Sequence, residues 1–337
     1  MASKVGKVPV ATHAFDAQVT GACANGRLFA VAFGDGMVRL FDSETMDAKP
    51  LDVQAHNGAA LCLSPDVEKG AFLTGGDDGK LIKTSALGAT EIVAEHKGRW
   101  VEQVTSHTGS GVRVYSVGKD AYILGKQKGE PRKLSHTTTV GGLAINPKGK
   151  RLAVAHYGGV SLWWLAQNSA AALLPWKGSH LQTKWSPDGD YVVTAMQENA
   201  LHGWRMSDGE HMRMSGYGSK VRSMDFSRRG HFLATGGADT IICWPFTGGG
   251  PMGKAPLEFG GAGGAPGTAV AANPEMDVFA AGFEDGSVIV GQPGPRAAML
   301  VVMGAGSPVT ALCWNPDGDR LLAGTEGGDV YVADFRG

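Results

Sequence analysis

Cysteine is scarce in this chain, four among 337 residues, too few to frame a fold of this length with disulfides and in keeping with free thiols in a reducing compartment. Long apolar runs are missing too: none reaches the roughly 18 residues that cross a bilayer. The opening stretch MASKVGKVPVATHAF lacks the apolar core of a secretory signal. Neither sign of charge is in excess. With 31 basic and 32 acidic residues the net charge is −1, which offers no electrostatic footprint for nucleic acid or an anionic membrane. No G-x-S-x-G elbow, H-E-x-x-H helix or C-x-x-C pair occurs, which removes the local signs of several hydrolase, metalloprotease and redox chemistries. These absences lead to the expectation of a folded cytoplasmic protein, with no membrane and no nucleic acid among its partners.

What is present is a phrase repeated eight times: a short apolar strand, a turn, a second strand ending in small residues, a Gly/Asp turn, a third strand. The first turn is anchored at Asn25, Ser64, His107, Asn146, Ser186, Ser227, Asn273 and Asn315, at separations of 39, 43, 39, 40, 41, 46 and 42 residues. A period near 40 built of strands and never of helices predicts a β-propeller. In the clearest unit, strands are predicted over 181–185, 191–196, 201–206 and, shorter and more polar, 211–214, with SPDG and Glu198-Asn199 as the turns. The 51 glycines fall mostly in such turns, where a positive φ is often required.

Proline placement gives an independent indication. It donates no ladder hydrogen bond and is tolerated at sheet edges and strand starts. Pro65, Pro147, Pro187, Pro274 and Pro316 fall in the first turn, and Pro50, Pro131, Pro175, Pro256 and Pro295 at or near the start of the fourth, outermost strand. The eighth unit stops after its third strand, whereas residues 5–13 precede the first inner strand as other fourth strands precede theirs. The expected fold is therefore all-β: one domain over 1–337, a closed propeller of four-stranded antiparallel blades. Eight blades are expected, with seven as the alternative because the third unit around 100–124 has the least typical turns. The N-terminal strand is expected to complete the last blade.

The residues resemble the WD-repeat family over essentially the whole chain. SPDG at 186–189, NPDG at 315–318, FGDGMVRLFD at 33–42 and TGGADTIICW at 235–244 carry the likeness. His136, Val140, Leu143, Ile145 and Asn146 reproduce the family's spacing from its histidine into the inner strand. No WD dipeptide occurs, and the Trp position closing the third strand holds Phe41, Trp163, Trp204 and Trp244 but smaller residues elsewhere. The resemblance implies a structural His, Ser/Thr, Asp and Trp relay, incomplete here, and a platform for protein partners rather than an enzyme.

Several constellations could carry chemistry. GGGPMGKA at 248–255 nearly meets the phosphate-loop pattern, but Ala255 replaces the magnesium-binding hydroxyl, Pro256 follows, and no helix opens there. Histidines 13, 56, 96, 136 and 180 recur with the repeat, which places them on different blades, too far apart to share a zinc ion. Cys23, Cys62 and Cys313 align in one slot of the inner strand, a small-residue position that also holds Thr105, Ala144 and Ala271. Packing explains them, with a redox or metal role as the alternative. The same slot holds Lys184 and Asp225 in neighbouring units, which predicts a partly buried ion pair between blades.

No catalytic, metal-binding or cofactor-binding residue is assigned, and no cofactor is expected. Loops leading into the inner strands and joining second to third strands form the usual docking face, where Trp, Tyr and Arg make hot spots. Candidates there are Arg99, Trp100, His156, Tyr157, Trp176, Lys177, Tyr217, Lys220 and Arg222, on units three to six. Trp176 and Tyr217 also align with the histidine position of their units. The expectation is a non-catalytic scaffold for an unidentified protein partner, a monomer or a subunit of a larger complex. The alternative is a small-molecule, metal or enzymatic site at the axial channel.

Overall fold

In the computed structural model every regular element is a β-strand; it describes residues 8–126, 129–261, 264–294 and 298–336. The strands form antiparallel sheets whose order follows the chain, as in Val19–Asn25, Leu28–Phe33, Met37–Asp42 and Leu51–Gln54. The third unit is as regular as the rest, with strands Gln103–His107, Val112–Val117, Asp120–Leu124 and Arg132–Ser135.

Both faces of a sheet are buried against its neighbours, so the second strands read as continuous apolar runs instead of alternating with polar residues. In Tyr191–Met196, Tyr191, Val193 and Ala195 pack on unit six with Met224, Phe226 and Leu233. Val192 points the other way, into a cluster with Ala153, Leu162 and Trp204. Each such side chain contributes roughly 1.5–3 kcal/mol on burial, and the core is a series of layers between sheets.

The expectation of eight separate four-stranded blades needs correction. There are seven sheets, six of four strands and one of six. The six-stranded sheet holds the fourth and fifth units, because Arg151–Trp164 runs the second and third strands of the fourth unit together and Ala172–Trp185 continues from its last strand into the first strand of the fifth. Elsewhere a tight Asp-Gly or similar turn breaks the chain between second and third strands. Here Gly158 and Gly159, at φ of 93° and 139°, bend it while pairing continues from Tyr157↔Ser179 to Gly159↔Pro175. A side chain at Gly159 would meet the Leu174 carbonyl oxygen at 2.1 Å, so only glycine fits.

At the chain ends, Val10–Ala14 pairs with Asp329–Asp334, from Val10↔Ala333 to Ala14↔Asp329. The remainder of the expected closing strand, residues 5–7, lies outside the described residues, as does Pro295. Pro50, Pro131 and Pro256 each precede an outermost strand directly, whereas Pro175 sits inside one.

A bulge that no residue pattern announces recurs near the start of five inner strands, between Val19 and Gly21, Ala60 and Cys62, His180 and Gln182, Gly267 and Ala269, and Val309 and Ala311. A bulge re-aims the extra residue's side chain. Thr268 uses this to donate to Val309 O at 2.7 Å, and Thr310 to donate to Val19 O at 2.7 Å, each reaching the next inner strand.

Candidate partner-docking surface

The loops leading into inner strands and those joining second to third strands come together on one face: Gly36 abuts the His56 and Gly58 carbonyls, and Gly79 those of His96 and Arg99. The nine candidate residues behave differently there. Tyr157, Trp176 and Lys177 line one depression of about 290 Å³ with Gly178, Met196, Glu198 and Arg213. Arg99 and Trp100 line a second, of about 250 Å³, with Glu102 and Gly118. Arg222 borders a third, of about 290 Å³, with Glu284 and Glu326, and residues of units six, seven, eight and one line it. Trp100 is 58 % and Tyr157 52 % exposed, and Lys220 is half-buried.

His156 and Tyr217 lie inside the fold. They are 7 % and 9 % exposed, with their polar atoms used inside the fold. His156 bonds Ser161 Oγ at 2.8 Å and Tyr157 O at 2.9 Å. Trp176 does not hold the histidine position of its unit. His180 does, its Nε2–H donating to Trp176 O at 3.0 Å while Nδ1 pairs with Thr194 Oγ1 at 2.7 Å. Trp176 instead stacks on His202, centroids 3.9 Å apart, with His211 behind. Sequence reasoning passed over His202, His211 and Arg213 because no repeat position marks them. His202 is fully buried, and neither ring nitrogen has a partner. Burial, with His211 and His180 close by, lowers its pKa to about 3.

Polar relays tie several units together. His56 donates through Nδ1 to Asp78 at 3.0 Å and pairs through Nε2 with Thr74 Oγ1 at 2.9 Å. Unit six substitutes a phenol: Trp244 Nε1 donates to Tyr217 OH at 2.6 Å, and that hydroxyl bonds Thr235 Oγ1 at 2.7 Å. Residues 210–244, which contain this relay, match the family model described as WD domain, G-beta repeat, and residues 270–336 match that of the anaphase-promoting complex subunit 4 WD40 domain. These two matches, with sheets ordered as propeller blades, support a WD-repeat β-propeller.

No curated protein matches the chain. Among solved structures, the computationally designed Ika8 protein is similar at a TM-score of 0.77 and 17 % identity, over 98 % of this chain and 100 % of that one. At that identity the likeness concerns the fold alone.

The remaining motifs of this WD-repeat chain are structural in their geometry. Lys254, in the glycine-rich segment, turns its ammonium onto its own loop's carbonyls, Thr247 O and Gly250 O, the latter at 2.8 Å. The loop thus gathers carbonyl oxygens around a cation, the reverse of the amide cradle a phosphate needs. All four cysteines are free thiols, and burial pushes Cys62 and Cys243 up to about 12, and Cys23 and Cys313 also upward. Such thiols are poor nucleophiles and metal ligands at neutral pH. Among the described residues no group of three or more His, Cys, Asp or Glu is arranged to hold a metal ion, and no helix is long and apolar enough to cross a membrane.

Lys184 and Asp225 pair between units at 2.5 Å, with side chains 43 % and 27 % exposed. Asp225 also accepts from Ala272 N at 2.9 Å, so one carboxylate links three successive units.

Proposed function

We propose that this WD-repeat propeller is a non-catalytic scaffold that binds a protein partner on the face over units three to six. The observation carrying this reading is that Tyr157, Trp176, Lys177 and Arg213 share one open depression while their backbone is fixed by continuous strands. Exposed aromatic and cationic side chains on a rigid frame are what hot spots consist of. The same reading takes the six-stranded sheet as two blades sharing one unbroken hairpin, which makes eight units about one axis, with the N-terminal strand belonging to the last. It is supported by the inner strands lying side by side, Val309–Trp314 next to Val19–Asn25 and that next to Ala60–Pro65.

The test is affinity purification with mass spectrometry on wild type, Trp176→Ala and Tyr157→Ala, each checked for retained β-structure. Loss of specific co-purifying proteins is expected from both substitutions. An unchanged set would remove the docking arc. The axial alternative is favoured by Glu284, Glu326 and Arg222 converging on one depression; a ligand held there would be lost on Glu326→Gln and untouched by Tyr157→Ala.

A further inference from the structure

The docking face is divided into two halves of opposite charge. Its loops in units seven, eight, one and two carry Asp16, Asp35, Asp77, Glu284, Asp285 and Glu326 and no lysine or arginine. Asp78 is there too, engaged by His56, and Asp35 lies 3.7 Å from Arg39 of the adjoining strand. The corresponding loops in units three to six carry Lys97, Arg99, Lys119, Lys177, Lys220 and Arg222 against Glu102, Glu198 and Asp239. A net charge of −1 for the chain conceals this separation. The halves meet where Arg222 shares one depression with Glu284 and Glu326.

A second observation sets the basic half apart. Most arginines elsewhere are committed: Arg27, Arg113, Arg205, Arg320 and Arg336 all make ion pairs. Among the described residues, none of those six basic side chains makes one, and neither does Arg213, which lines the depression with Tyr157 and Trp176. Cations without internal partners keep their charge available to a ligand, and the aromatic surfaces beside them supply apolar area.

We propose that the occupant of units three to six is an acidic segment of a partner protein, rich in Asp or Glu and bearing an apolar side chain for the Tyr157–Trp176 depression. This rests on the scaffold reading above and names its partner's chemistry. The carboxylate half acts against the same ligand: it repels an acidic segment laid the wrong way and confines it to one arc, so attraction and exclusion both contribute to specificity. A nucleic acid is disfavoured, because a continuous phosphate backbone extending past the arc runs into six carboxylates.

The test measures fluorescence anisotropy of a labelled Glu-rich peptide with one central Phe, against its Lys-for-Glu counterpart and a single-stranded oligothymidine. The Glu peptide is expected to bind, more weakly as salt rises, and to lose about tenfold or more in affinity on Lys177→Glu with Arg213→Glu. Neither side chain has an internal partner, so the fold is expected to survive, checked by circular dichroism. Glu284→Lys with Glu326→Lys is expected to tighten binding several-fold; unchanged or weaker binding would remove the repulsive role. The proposal is overturned if the Glu peptide fails to bind wild type, if the Lys177/Arg213 reversal has no effect, if oligothymidine competes equally, or if the Lys peptide binds better. Should the Glu peptide fail while Trp176→Ala still abolishes co-purification, the scaffold stands and only the acidic occupant is lost.

Discussion

The joint between the last and first units and the joint between the fourth and fifth add different ties to the apolar layers they share. At the first, separate strands pack through Phe29, Val31, Leu322 and Val332 and are tied further by polar side chains. Arg320, fully buried, lies 2.7 Å from Asp334 and donates through Nε to Ser43 O at 3.1 Å, and Arg336 bridges Glu44 and Asp334 at 2.7 and 3.3 Å. At the second, the backbone ladder is continuous, and the side chains are aromatic: Trp176 on His202, and Trp185 donating to Ala144 O at 3.1 Å. A joint made of charges is sensitive to losing a partner. A joint made of rings and ladder is sensitive to being charged.

The sharpest way to break this contrast is Arg320→Ala. Removing a buried guanidinium that serves the Asp334 and Asp319 carboxylates and the Ser43 and Asp319 carbonyls is expected to cost about 3 kcal/mol. Chemical denaturation checks it, and a loss under about 1 kcal/mol would mean that the joint does not depend on its ion pair.

Acid should act first at the other joint. The unfolded chain's His202 takes a proton near its ordinary pKa of 6.5, while the folded one resists until about 3. Between those values the unfolded state binds more protons, so stability falls as pH falls. At pH 5 this residue's share is about 2 kcal/mol less than at pH 7. Burial lowers His136 and His180 as well, in the same sense. His202→Phe keeps the stack on Trp176 and leaves no nitrogen to charge. It should flatten the pH 5–7 stability profile, and a profile as steep as wild type would show that His202 is not the source.

The mixed joint around Asp225 should respond least. Asp225→Asn keeps an oxygen for Ala272 N and loses the charge facing half-exposed Lys184, with an expected effect of about 0.5–1 kcal/mol. An unchanged melting temperature would place the pair among surface ion pairs that contribute nothing.

Much of this was legible in advance because the physics is local. Turn residues such as Asn146, whose Oδ1 accepts from Lys150 N and Arg151 N, set the reversals, and strand bounds such as Tyr191–Met196 and His211–Met214 follow from them. The Lys184–Asp225 pair was legible too, since both occupy one repeat slot. Other features were not. Tyr157, Gly158 and Gly159 resemble a turn, and only their pairing with 175–179 shows the ladder running on. The burial of His156 and the stacking of Trp176 on His202 depend on side-chain direction at a given height, which spacing does not encode.

Residue pattern is enough for a ring of similar sheets, because a period of strands buried on both faces has few other ways to cover its apolar surface. What meets at each joint follows only from the packed molecule: Arg320 with Ser43, Thr310 with Val19, Trp176 with His202. Those partners are far apart in sequence or differ from one repeat to the next. Which of them touch depends on the twist and radial position of whole sheets, and no stretch of chain specifies these alone.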